Sequence, residues 1–188
     1  MKKIFIQVSA RHIHLSQRDL DALFGKGYEL KKLKELYQPY QFAAKETLDI
    51  KVGKKILPKV RIIGPVRENT QVELSTTNAI KLGTKACIRK SGDLKGTPGA
   101  MLINKNKKIR IKKGLIVPAR HIHCNPEEAQ KLKLKNGKFV SIKVKGDRGL
   151  VFENVQVRID KNFKLCMHVD TDEGNAAGII CETQGYLI

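Results

Sequence analysis

Tryptophan is absent from this sequence, and aromatic residues make up only 5% of its 188 positions. A core must therefore be assembled from Ile, Leu, Val and Ala. The stacked rings that a single-stranded nucleic acid needs are missing as well. No apolar run approaches the roughly 20 residues of a membrane-spanning helix. The opening Met1-Lys2-Lys3-Ile4-Phe5-Ile6-Gln7-Val8 begins like a secretion signal, but Gln7 breaks the apolar stretch too early for one. Closely spaced cysteines are also lacking. Cys87, Cys124, Cys166 and Cys181 form no CxxC and no disulfide framework, so four free thiols in a reducing cytosol are expected. These absences point to a soluble cytoplasmic protein with no membrane partner.

Acidic residues are few. Asp and Glu number 18 against 37 Lys and Arg, for a net charge of +19. Such a balance suits a polyanion or a phosphorylated small molecule. The basic residues are mostly Lys and are spread along the chain, which favours a simply basic surface over a nucleic-acid interface, with steering of anionic substrates as a by-product. With 41% hydrophobic residues the composition is globular, and the length allows one large domain or two small ones.

What the chain does have is short alternating segments. Lys3–Val8, Val60–Ile63, Thr70–Leu74, Phe139–Val144 and Asn154–Ile159 read as strands, punctuated by Gly, Asn and Pro. The reading is a mainly β fold of barrels or sandwiches. Two helices carry start signals. Ser16 caps one that ends at Gly25. Asn125 caps the other, with Pro126 at its first position and Glu128 at its third. Residues 26–45, with Lys31, Lys32 and Lys34, read as an inserted hairpin.

An internal repeat organises the whole. Val8-Ser9-Ala10-Arg11-His12-Ile13-His14-Leu15 recurs as Val117-Pro118-Ala119-Arg120-His121-Ile122-His123-Cys124, and each copy runs into one of the capped helices. A weaker match sets Glu73-Leu74-Ser75 against His168-Val169-Asp170. Four of the five histidines lie in the two His-x-His pairs. On a strand, such a pair projects two imidazoles from one face. Imidazole is a ligand for Zn, Cu, Fe and Ni. The weaker repeat supplies a third ligand to each half, Glu73 to His12 and His14, and His168 to His121 and His123. Two divalent ions per chain are expected, zinc ahead of iron. Glu46 is a rival third ligand in the first half. Cys124 points away from His123 and reads as buried. Asp170 and Asp172 could orient the ligand imidazoles, or be loop carboxylates. Arg67 offers a planar fork for phosphate, though the pattern alone favours a surface ion pair. The Ser91–Gly99 stretch is Gly-rich but lacks the spacing of a phosphate-binding loop.

The segments Ser9–Ser16, Gln41–Thr47, Gly64–Arg67, Thr70–Glu73, Ser91–Gly99, Ala119–His123 and His168–Glu173 resemble the phosphate propanoyltransferases (PduL-type phosphate acyltransferases), in the order of that family. The resemblance implies two β-barrel domains capped by short helices. Residues 1–10 with 119–188 would form one, and 11–118 the other. It implies a homodimer acting on acyl-CoA and phosphate, with coenzyme A as a substrate. It assigns His12, His14 and Glu73 to one zinc and His121, His123 and His168 to the other. It also assigns phosphate contact to Arg67 and an active-site role to Ser91, as a hydrogen-bond donor to phosphate or carbonyl. Microcompartment members of that family carry an N-terminal extension. This chain starts at its first strand, so residence in a shell is not expected. Gly174 and Cys124 stand where Ala and a larger apolar residue are expected. The competing functional readings are a dimetal hydrolase and a basic nucleic-acid-binding protein with structural zinc.

Overall fold

The computed structural model describes residues 2–188. The first part of the chain runs β1 (Lys2–Ser9), β2 (His12–His14), α1 (Gln17–Phe24), β3 (Lys32–Glu35), β4 (Phe42–Val52), β5 (Lys55–Gly64), β6 (Gln71–Glu73), α2 (Thr76–Leu82) and β7 (Cys87–Arg89). There follow β8 (Ala100–Asn104), β9 (Lys107–Ile111), β10 (Leu115–Pro118), β11 (His121–Cys124), α3 (Pro126–Leu132), β12 (Phe139–Val144), β13 (Leu150–Ile159), β14 (Cys166–Asp170), α4 (Thr171–Ala176) and β15 (Glu182–Leu187). The protein is mainly β. No helix among the described residues is long and apolar enough to cross a membrane. The chain divides into two compact units, one comprising the chain up to Ala10 with Ala119–Ile188, the other Arg11–Pro118.

The first unit is a closed six-stranded barrel in the order β1-β14-β11-β13-β12-β15. Its strands follow the period of two that a half-buried sheet requires. Ile4 and Ile6, Ile122 and Cys124, Ile142 and Val144, Val155 and Val157, and Met167 and Val169 pack together in the core. Each fully buried Ile, Val or Met of this kind contributes roughly 1.5–3 kcal/mol. Cys124 lies wholly in this core, and burial pushes its thiol up to about 11. Gly174 is explained by the same packing. A Cβ there would sit 2.6 Å from Val8 Cγ2, so alanine would require Val8 to move.

The second unit repeats the same ladder. β10 pairs parallel with β6, β6 antiparallel with β2, β2 parallel with β5, and β5 antiparallel with β4. In the first unit, β1-β14-β11-β13-β12 shows that alternation strand for strand. Ile13, Val60, Ile62, Val72, Leu74 and Leu115 are part of its core.

The units differ in how they close. In the first, β15 hydrogen-bonds to both β1 and β12. In the second, nine strands form a sheet ordered β7-β10-β6-β2-β5-β4-β8-β9, with β3 added beside β4. No described strand pairs with both β4 and β10, so the ladder stays open where the sequence suggests a second barrel. The edge of β10 away from β6 is taken by β7 over Ile116–Pro118. Leu115 N donates to Pro98 O at 3.0 Å. The Lys-rich segment forms β3, antiparallel to β4, with all four residues exposed. Charged Lys32 and Lys34 suit an edge that must not recruit another strand.

Gly99 marks the tightest approach in this region. A Cβ there would lie 2.1 Å from Ile111 O and 2.7 Å from Lys112 C, both backbone atoms. Gly99→Ala should lower stability by roughly 1–3 kcal/mol or more, as overpacking does. A urea midpoint matching that of the parent chain would show that the segment yields freely.

Candidate metal centres and substrate site

Alternation along the strands selects the functional faces. Ile13 enters the core from β2, so His12 and His14 share the opposite face. Val72 enters it from β6, so Gln71 and Glu73 share a face too. The antiparallel register sets His12 opposite Glu73 and His14 opposite Gln71. His12 Nε2 lies 3.4 Å from Glu73 Oε2, and His14 Nε2 lies 3.9 Å from Glu73 Oε1. The two imidazoles meet edge to face with centroids 4.9 Å apart. One ligand atom from each of His12, His14 and Glu73 falls within 4.8 Å of the others, and all three residues are buried.

Protonation follows from the neighbours. His14 Nδ1 is 3.3 Å from Ile63 O. A carbonyl only accepts, so this nitrogen carries the proton and Nε2 presents its lone pair towards Glu73. Burial, then His12 and Arg67, hold the His14 imidazole well below its ordinary range. A neutral imidazole lone pair facing a buried carboxylate is a poor arrangement without a cation between them. Two imidazoles and one carboxylate form a recognised three-ligand set for zinc. The residues present therefore fit a divalent ion.

Glu73 is also anchored from behind. Ser91 Oγ donates to Glu73 Oε1 at 2.9 Å. The same hydroxyl accepts from Gln71 Nε2 at 2.8 Å and from Arg67 Nη1 at 3.1 Å. A serine hydroxyl has one hydrogen and two lone pairs, so Ser91 is saturated. Its proton goes to Glu73. Arg67 is placed by its own backbone, whose N–H donates to Leu15 O at 2.8 Å, next to the cap of α1.

The second set repeats the arrangement in the barrel. Ile122 and Met167 enter the core, which puts His121, His123 and His168 on the other face. β11 and β14 run antiparallel with His121 opposite His168 and His123 opposite Cys166. The ring centroids are separated by 4.6 Å for His121–His123, 5.3 Å for His121–His168 and 5.1 Å for His123–His168. His121 Nδ1 lies 2.9 Å from Ala119 O, which again leaves Nε2 as the lone-pair nitrogen. Burial, then His168 and Arg158, keep His121 well below its ordinary range. Three imidazoles suit zinc as a ligand set. Phe163 stacks on His123, with centroids 3.9 Å apart and planes at 28°. The Arg158 guanidinium lies 5.8 Å from the Phe163 ring centre.

Each of the four strands that carry these residues ends the same way. His14, Glu73, His123 and His168 stand two positions ahead of Ser16, Ser75, Asn125 and Asp170, and each of those four caps a helix. Asp170 is thereby a capping residue, whose Oδ1 accepts from the backbone N–H groups of Asp172 and Glu173. Asp172 lies in the first turn of α4. Glu46 is engaged elsewhere, accepting from Tyr28 Oη at 2.8 Å and from Lys31 N.

Two residues escaped sequence reasoning. Gln71 is 2% exposed and hydrogen-bonded on every side, and its signal was its place two residues before Glu73 on one strand. Phe163 lies outside any strand, and nothing in the spacing marks it.

The profile of the phosphate propanoyltransferase family matches residues 5–180. A phosphate propanoyltransferase of Thermotoga maritima is 49% identical over 186 residues, covering 98% of this chain and 89% of the relative. One from Listeria monocytogenes is 43% identical over 183 residues, covering 97% and 86%. One from Clostridioides difficile is 45% identical over 189 residues, covering 100% and 90%. The chain belongs to the phosphate propanoyltransferase family of acyltransferases.

Proposed function

We propose that this enzyme is metal-dependent and interconverts acyl-CoA plus phosphate with acyl phosphate plus CoA, on acetyl or propanoyl groups. The observation that carries the metal part is the equivalent strand placement of the two sets, the first of them buried throughout. His12 opposite Glu73 and His121 opposite His168 occupy the same register in matching ladders. His12, His14 and Glu73 would hold one divalent ion, and His121, His123 and His168 a second, with zinc the favoured metal. When bound, such an ion supplies Lewis acidity towards a thioester carbonyl and affinity for a thiolate.

The other roles fall to the chain itself. Arg67 would grip phosphate through its planar fork and hold it for direct attack on the thioester carbon. Ser91 ties Arg67 to Glu73 and serves as a positioning hydroxyl, with no acyl-serine stage. Burial of the His/Glu set strengthens each charged contact by keeping water away. The high net positive charge favours encounter with two anionic substrates. A cytoplasmic homodimer is the working form proposed, on the strength of the family resemblance.

The test is CoA release from propanoyl-CoA and acetyl-CoA, with and without phosphate, with analysis of the acyl product. Release that requires phosphate and yields acyl phosphate is expected. Phosphate-independent release giving only the free acid would favour a hydrolase instead.

A further inference from the structure

Gln71 is a polar side chain at 2% exposure on the same strand face as Glu73. Its amide can be oriented in only one way. The nitrogen must face Glu73 Oε1 and Ser91 Oγ, because a carboxylate accepts and Ser91 has given its single hydrogen to Glu73. The amide oxygen must face Gly92 N, which donates to it at 2.7 Å. The reverse orientation would set an oxygen against a carboxylate and an NH₂ against an N–H.

The consequence falls on Glu73. Oε1 receives two donors, the Gln71 amide and the Ser91 hydroxyl. Oε2 is turned to His12 Nε2 at 3.4 Å. The two carboxylate oxygens are thus distinguished before any ion arrives. Gln71 also links the Gly92 turn, and with it Ser91, to the strand that carries Glu73.

We propose that Gln71 is the positioning residue of the first metal set: with Ser91 it occupies Glu73 Oε1 and presents Oε2 as the single ligand oxygen. This rests on the metal reading above. Such outer partners fix the orientation of ligand groups, and losing one typically costs 10–100-fold in metal affinity. The counterpart of Gln71 in the barrel is Cys166, opposite His123. Its Sγ lies 3.8 Å from Gln7 Oε1 and 3.4 Å from Met167 O. His168 is an imidazole with no second oxygen to occupy, so the barrel set needs no such residue.

The experiment uses the full chain reconstituted with zinc and compares it with Gln71→Met, which keeps length and volume but loses all three hydrogen bonds. Metal loss to a chelator is followed over time, and His168→Ala serves to identify which phase belongs to which set. One of two metals should leave Gln71→Met at least about 10-fold faster, with the other unchanged. Ser91→Ala should accelerate the same phase, and the double variant should be faster than either. The melting temperature of the metal-free forms tells positioning from general damage. Equal acceleration of both phases together with a lower melting temperature would make Gln71 a structural residue and overturn the proposal. A Gln71→Met chain that releases both metals like the parent would overturn it too, while leaving the metal reading standing. A parent chain that takes up no metal would overturn both.

Discussion

Arg67→Ala should raise the phosphate concentration needed for half-maximal rate by about thirty-fold or more, with a far smaller change for acyl-CoA. A charged hydrogen-bonded contact is worth roughly 2–5 kcal/mol when truncated, and each 1.36 kcal/mol is a factor of ten. The placement of Arg67 sharpens the expectation. Its Nη1 is held by Ser91 and its backbone by Leu15, so the guanidinium is fixed beside Glu73. Arg67→Lys should recover part of the loss, since it keeps the charge but not the fork. Steady-state kinetics with each substrate varied in turn decides the matter. Equal losses for both substrates, or none, would make Arg67 a structural anchor of the α1 cap.

Glu73→Gln should bring the metal content from two ions per chain towards one and leave a folded protein. His168→Ala should do the same at the other set. An amide oxygen is a far poorer ligand than a carboxylate, and a neutral Gln would also leave the Ser91 and Gln71 donors facing a weaker acceptor. The control is Glu46→Gln. Its carboxylate is bonded to Tyr28 and Lys31 and takes no part in the His12–His14 set, so metal content should be unchanged. Elemental analysis of the three variants under one reconstitution protocol gives the comparison. If Glu46→Gln lost an ion and Glu73→Gln kept both, the pairing of the two halves would be wrong at that position.

The reason so much of the site is legible in the sequence is that it is made on strands. His-x-His states its own geometry once a strand is assumed, because the residue between the histidines must be apolar and buried, as Ile13 and Ile122 are. The repeat then carries Glu73 and His168 to equivalent places. The cap residues Ser16 and Asn125 are readable for the same local reason. What is not legible depends on partners distant in the chain. Gln71 matters because Ser91 and Gly92 return to it, and Ser91 stands in a Gly-rich turn whose ties to Glu73, Gln71 and Arg67 no spacing announces. That β7 takes the edge of β10 in the second sheet is a pairing between distant segments that composition cannot foresee. Asp170, met as a carboxylate near a histidine, is committed to capping α4 by the turn that follows it.

The shared spacing of two residues between each strand's last candidate ligand and its helix cap has an evolutionary side. The frame is set by backbone pairing and by the cap, and neither depends on what side chain stands at the ligand position itself. Duplication of one such module could therefore keep the frame while the third position drifted from carboxylate to imidazole or back. That exchange alters local charge and little else. With the same divalent ion in each, the Glu73 set would carry one unit of positive charge less than the His168 set. Two copies of one ancestral scaffold would thus acquire unequal pull on an anion through a single codon's difference, with Gln71 and Ser91 retained only where there is a carboxylate to steady.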